Sequence, residues 1–310
     1  MIFGIIVLTT LVLHLQLKKD TETVINDAEE IDRLHKKLQI LGKSPISTNC
    51  TKQFPQSIII GVMKGGTEAF STFLALHPRV AMQFAMLSTK FFTNQNYQMG
   101  FDWYRDQMPC STEEQITVEK APQYFPTPLA AKRIYEFNPK MQLILLVRKP
   151  IDRAVSHYLQ QKDANPQRLS GETFETNILD ASGNINPKNV FIQQSSYITI
   201  LKEWLQYFKL EQILIIDGDD FRSDAVRELA KTETFLNIQP YINHDLFQYN
   251  TERKIYCIKS SKQNEDLCLP SGKGRQHPDI DPVIYEKLVN YFQPLNKQFM
   301  VTVGQTFDWE

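Results

Sequence analysis

Two kinds of hydrophobic run alternate along the chain. Ser57–Val62 (SIIIGV), Gln115–Glu119, Gln142–Val147 (QLILLV) and Gln212–Asp217 are short, nearly uninterrupted apolar runs, and they predict buried strands. Elsewhere apolar residues return every three or four positions, as at Ala69, Phe70, Phe73, Leu74 and Leu76. That spacing predicts helices over Thr67–Leu76, Thr127–Phe137, Ile151–Gln160, Ser195–Phe208, Ala225–Leu236 and Pro282–Gln293. Strands alternating with helices predict a single α/β domain with a central parallel sheet flanked by helices. The aromatic pairs Phe91/Phe92 and Trp103/Tyr104 are expected in its core.

The N-terminus follows a different pattern. Ile2–Leu17 is almost wholly apolar and is followed at once by Lys18 and Lys19. A helix of that length reaches roughly 25 Å, the lower limit for crossing a bilayer, so residues 1–19 read as a signal anchor or a signal peptide. Val24, Ala28, Ile31, His35 and Leu38 recur at heptad-like spacing, and residues 20–53 read as a stem and linker before a domain over 54–310. Asn49-Cys50-Thr51 is a sequon for glycosylation at Asn49, meaningful in a secretory lumen. Cys257 and Cys268 stand eleven positions apart, and spacing leaves a disulfide and a pair of free thiols equally open.

Composition adds mainly exclusions. The 310 residues carry 34 Lys plus Arg against 35 Asp plus Glu, so overall charge offers no case for a nucleic acid polymer and any anion site must be local. Cys and His are not clustered at metal-ligand spacing, and no metal is expected. Two local anion signatures follow predicted strands. Lys64-Gly65-Gly66-Thr67, with Glu68 beginning the next helix, gives a tight turn whose N–H groups can converge on an anionic oxygen. The lysine precedes the glycines, which separates this turn from the nucleotide triphosphate P-loop. Arg148 closes the strand Gln142–Val147, and Ser156 lies two helical turns beyond Pro150, so guanidinium and hydroxyl can meet at a second phosphate. Two phosphate sites at the carboxyl ends of two strands suggest a nucleotide phosphorylated at both ends of its ribose. Between Thr251 and Gln276 six basic residues face three acidic ones, and Lys273-Gly274-Arg275-Gln276-His277 has the make-up of a close-approaching basic lid.

Taken in order, IIIGVMKGGTEAF, VEKAPQYF, LILLVRKPIDRAVSHYLQ, ILIIDGDDF, IYCIKSS, CLPSGKGRQHP and TFDW resemble the heparan sulfate glucosamine 3-O-sulfotransferases from about Pro55 to Trp309. The resemblance implies a P-loop-like sulfotransferase fold, with sulfuryl transferred from 3′-phosphoadenosine 5′-phosphosulfate (PAPS) to a glucosamine hydroxyl of heparan sulfate, without a metal, in the Golgi lumen. It further implies that Lys64 to Thr67 hold the 5′-phosphosulfate, with Glu68 beside them, and that Arg148 and Ser156 hold the 3′-phosphate. Tyr256 and Lys273 to His277 would cover the nucleotide, Lys64 and Lys120 would serve the transfer, and Ser88, Lys90, Lys120 and Gln160 would face the sugar. Cys257 and Cys268 match the family's disulfide.

The chain departs from that pattern at Ser88-Thr89-Lys90-Phe91-Phe92-Thr93, where the family has Glu-x-His-Phe-Phe-Asp and the glutamate is the catalytic base. No acidic residue lies between Glu68 and Asp102 to replace it. Met63 and Glu68 stand where the family has arginines. Glu119 is the nearest substitute by position, although a structural ion pair with Lys120 is the expected role. Two functions therefore stay open: a luminal sulfotransferase, anchored as a type II protein or soluble after cleavage, and a catalytically impaired relative that binds PAPS or a glycosaminoglycan.

Overall fold

The computed structural model describes residues 49–83, 88–93, 96–253, 255–259, 267–269 and 277–309. Residues 1–19, most of residues 20–53 and Lys273–Gln276, on which the expected signal segment, stem and basic lid fall, lie outside the described residues. In chain order the elements are β1 (Thr51–Lys52), β2 (Ser57–Gly61), α1 (Thr67–Leu74), β3 (Val80–Gln83), α2 (Gly100–Asp106), β4 (Cys110–Ser111), β5 (Ile116–Lys120), α3 (Ala130–Phe137), β6 (Gln142–Val147) and α4 (Pro150–Ala164). They continue with α5 (Phe174–Ile178), α6 (Val190–Gln193), α7 (Tyr197–Trp204), β7 (Ile213–Asp217), α8 (Gly218–Ser223), α9 (Ala225–Phe235), β8 (Phe247–Asn250), β9 (Ile255–Ile258) and α10 (Pro282–Val303).

Five of the strands form one sheet in the order β3-β5-β2-β6-β7, and every neighbouring pair is parallel. Both faces are covered, which explains the unbroken apolar runs. Strand alternation sends Ile58, Ile60, Leu143 and Leu145 into a layer with Phe91, Phe92, Tyr104, Trp204 and Phe299. Ile59, Ile144, Leu146 and Ile216 enter the opposite layer with Phe70, Phe73 and Leu229.

The fold expected from the sequence is the fold observed, with differences at particular elements. The edge strand β3 was not anticipated: its sequence, VAMQ, is short and only weakly strand-forming, yet it pairs with β5 from Val80↔Ile116 to Gln83↔Glu119. Helix α10 runs past Pro294 to Val303, well beyond the expected end at Gln293. Its buried Leu288, Phe292, Phe299 and Val303 keep it on the core until Gly304 ends it at φ 67°. Helix α4 starts at Pro150, where the fixed φ of proline suits a first turn.

Two disulfides close the structure. Cys257 and Cys268 are paired with Cα atoms 4.3 Å apart, and Cys50 pairs with Cys110 at 5.4 Å. The second bond and the β1–β4 pairing tie residues 50–52 to the domain.

Candidate active site

The turn after β2 is built by close backbone packing. Val62 donates to Leu146 O at 2.8 Å, and Gly65 donates to Val62 O at 2.9 Å. A Cβ on Gly65 would lie 2.8 Å from Leu146 O, and one on Gly218 would lie 2.5 Å from Gly65 O. The turn, the end of β6 and the start of α8 therefore meet backbone to backbone, and only glycine fits at both contacts. Gly66, at φ 98°, precedes α1 with open space around its Cβ position, and no side chain caps the helix. An uncapped helix start beside Lys64 can receive an anion.

The turn is held from below by Arg153, which is 1 % exposed. Its Nε donates to Met63 O at 3.0 Å, and its terminal nitrogens reach Phe191 O, Ser195 Oγ, Gln194 Oε1 and His157 Nδ1 at 2.9–3.2 Å. Burial pulls the guanidinium down to about 10. Burial, then Arg153 and Lys64, push the His157 imidazole down to about 3. A cavity of about 520 Å³ opens beside this anchor, between Met63, His157, Gln161, Arg168 and Asn189.

Arg148 stands on the adjacent strand end. Its guanidinium lies 3.7 Å from Asp152 and 3.6 Å from Asp219, while Tyr197 donates to its carbonyl at 2.8 Å. Asp152, Ser156 and Gln160 follow at four-residue spacing along α4, which places them on one helix face. Ser156 is half-buried and Gln160 exposed. His277 Nδ1 lies 3.9 Å from Asp152. Burial lowers the His277 pKa, and Arg148, Lys64 and Arg222 lower it further, so these cations share one neighbourhood. Tyr256 donates to Ser223 O at 3.0 Å, fixing the β8–β9 hairpin against the end of α8.

The opposite wall follows β5, whose last two side chains leave opposite faces of the sheet. Glu119 is fully buried and accepts from Thr89 Oγ1 at 2.5 Å, Tyr104 Oη at 2.6 Å and Tyr124 Oη at 3.0 Å. Burial raises the Glu119 carboxyl, against the lowering effect of those three bonds. The expected Glu119–Lys120 pair is therefore absent: strand alternation separates the two, and Lys120 pairs instead with Glu68 on the first turn of α1. Ser88 Oγ accepts from Gln123 Nε2 and, at 3.2 Å, from Lys90 N. Lys90 itself sits at φ 50°. Phe91 and Phe92 are fully buried, as expected.

A family model described as "Sulfotransferase domain" matches residues 54–300. Heparan sulfate glucosamine 3-O-sulfotransferase 5 of Mus musculus is 38 % identical over 261 residues, 83 % of this chain and 75 % of that protein. The 3B1 enzyme of Homo sapiens is 36 % identical over 274 residues, 86 % of this chain and 69 % of that protein. The chain belongs to the heparan sulfate glucosamine 3-O-sulfotransferase family. A solved sulfotransferase from Alicyclobacillus acidocaldarius shares the fold, with a TM-score of 0.61 over 82 % of this chain and 98 % of its own, at 18 % identity.

In this sulfotransferase Lys64, Lys120 and Arg148, singled out from sequence, stand at the carboxyl ends of β2, β5 and β6. Arg148 and His277 both approach Asp152, which shares a face of α4 with Ser156, whereas Lys120 pairs with Glu68 beside Thr67 and Ser88 is bonded to Gln123. Sequence reasoning missed Arg153, His157, Asp219, Arg222 and Gln123. The SHY of LVRKPIDRAVSHY gave His157 no visible partner, because its partner Arg153 is revealed as buried only once α4 packs against α6.

Proposed function

We propose that this chain transfers a sulfuryl group from PAPS to a glucosamine hydroxyl of heparan sulfate. The observation that carries this reading is the convergence of the uncapped Gly66 turn with Lys64, and of Arg148 with His277, at neighbouring strand ends. The open space at Gly66 and the grouping of Lys64, Arg148 and Arg222 around His277 suit a nucleotide with anionic groups at two ends.

In this reading Lys64 to Thr67 hold the 5′ end, Arg148 and Ser156 the 3′-phosphate, and Tyr256 with His277 and residues 273–276 cover the nucleotide. PAPS supplies an activated sulfuryl group whose leaving oxygen gathers negative charge, and in this reading Lys64 neutralises that charge. Lys120, Ser88, Lys90 and Gln160 orient the sugar. Both disulfides suit an oxidising lumen, and we assign the domain to the Golgi lumen, tethered through residues 1–19 or released after cleavage, with Asn49 as a glycan acceptor. Among the described residues no helix is long and apolar enough to cross a membrane.

Radiolabelled PAPS incubated with heparan sulfate tests the reading. Label passes to the polysaccharide with the wild-type chain and is lost with Lys64→Ala; no transfer to any heparan sulfate fraction overturns it. A second reading, a PAPS or glycosaminoglycan binder of low turnover, is favoured by the serine hydroxyl at position 88 and by the complete burial of Glu119. Losing a general base lowers a rate by ~10²–10⁴-fold. Under this second reading Ser88→Glu raises kcat at least tenfold; an unchanged, robust kcat rules it out.

A further inference from the structure

We infer that Glu68 selects the acceptor, turning the sulfuryl-transfer site towards sugars that carry no O-sulfate near the reacting hydroxyl. The inference rests on the proposed reaction. Glu68 occupies the first turn of α1, one residue beyond Thr67, and its carboxylate is paired with Lys120 Nζ. The side chains of Lys120 and Glu68 are 8 % and 21 % exposed, so water screens the pair poorly.

Lys120 stands at the very end of β5, and three residues later Gln123 binds Ser88 on the acceptor wall. The pair thus sits between the anion-binding turn and that wall. An unpaired lysine there would attract any sulfate on the incoming sugar. With Glu68 in contact the local charge is near zero, and a second sulfate meets a carboxylate at short range. Cancelling the attraction of Lys120 in a poorly hydrated site lowers the affinity for a second sulfate, and specificity of this kind needs no added attraction for the preferred acceptor. The Glu68 carboxylate also holds the ammonium of Lys120 in one place, so Glu68 positions that group as well as filtering the sugar.

The test is calorimetric and needs no turnover. Two heparan oligosaccharides of equal length, one N-sulfated only and one also O-sulfated, are titrated into the protein saturated with adenosine 3′,5′-bisphosphate. Wild type is expected to bind the N-sulfated chain at least as tightly as the other. Glu68→Gln is expected to gain tenfold or more for the O-sulfated chain with less than threefold change for the first, and Glu68→Asp to keep the wild-type ratio. If Glu68→Gln fails to fold because Lys120 loses its partner, Glu68→Gln/Lys120→Gln replaces it, with the same direction and a smaller change. A ratio that does not move in the neutral variants overturns the inference alone. Failure of wild type to bind either oligosaccharide overturns the proposed reaction and the inference together.

Discussion

Acid should loosen this domain through one histidine. His157 is 3 % exposed, and its Nδ1 accepts a hydrogen bond from Arg153 Nη2 at 2.9 Å, which places the ring proton on Nε2 and keeps the imidazole neutral. Burial and the facing guanidinium lower its pKa from 6.5 to about 3. In the unfolded chain the ring takes up a proton near 6.5, whereas the folded chain refuses it until about 3. The unfolded state therefore binds more protons in that window, and stability falls as pH drops through it. It is complete above 6.5 and lost towards 3. One proton corresponds to a slope of about 1.4 kcal/mol per pH unit, and the full window to roughly 3–5 kcal/mol. His157→Gln keeps an acceptor for Arg153 but has no such titration. Urea unfolding of both proteins at pH 7, 6, 5 and 4.5 measures the effect. The variant is expected to be less stable by about 1 kcal/mol at pH 7, from the altered hydrogen bond, and to lose less with acid until the two curves cross. A stability difference that stays constant from pH 7 to 4.5 would refute the account.

Four more outcomes follow from the same geometry. Arg148→Gln should weaken adenosine 3′,5′-bisphosphate binding by about 10–100-fold in calorimetry, in line with the loss of a charge-assisted contact; less than a twofold change would remove Arg148 from the site. His277, depressed by burial, Arg148, Lys64 and Arg222, should titrate at higher pH once that nucleotide neutralises its neighbours, which proton NMR of the ring can follow. Replacing Cys50 and Cys110 by serine should cost about 4 kcal/mol and replacing Cys257 and Cys268 about 3 kcal/mol in chemical unfolding, because the first bond closes a span of 60 residues and the second one of 11. Glu119 titrates in the opposite sense to His157: its pKa is raised by burial, so its stabilisation is full below the unfolded carboxyl value and lost as pH rises through the folded one, and Glu119→Gln should remove that part of the pH dependence.

The sheet was legible because parallel strands buried on both faces leave runs such as QLILLV that few other structures need. The turn between β2 and α1 was legible because Gly65, Gly66 and Lys64 are consecutive. What sequence could not show was pairing across distance. Lys120 follows Glu119 directly, and adjacency suggested an ion pair, but in a strand neighbours point to opposite faces, so each found its partner elsewhere: Glu68, 52 positions away, for the lysine, and Thr89, 30 positions away, for the glutamate. Cys50 and Cys110 were likewise silent, since a bond across 60 residues has no local signature. Pro294 suggested an earlier end to α10, and the four buried apolar residues along the helix outweigh the single backbone bond it removes.

The two walls share one physical device. Behind the anion turn, Arg153 is a buried cation whose hydrogen bonds go to two backbone carbonyls, a hydroxyl, an amide oxygen and a neutral imidazole. Behind the opposite wall, Glu119 is a buried carboxyl satisfied by three hydroxyls. A buried charge costs several kcal/mol unless its hydrogen-bonding groups are filled, and here they are filled by dipoles rather than by an opposite charge. A carboxylate beside Arg153 would cancel its field, whereas neutral acceptors leave positive potential behind Met63 and Lys64, where the proposed nucleotide would present its 5′ end. That is why His157 must stay neutral: a protonated imidazole would give up its role as acceptor, and Arg153 would lose the bond that helps hold the turn from below.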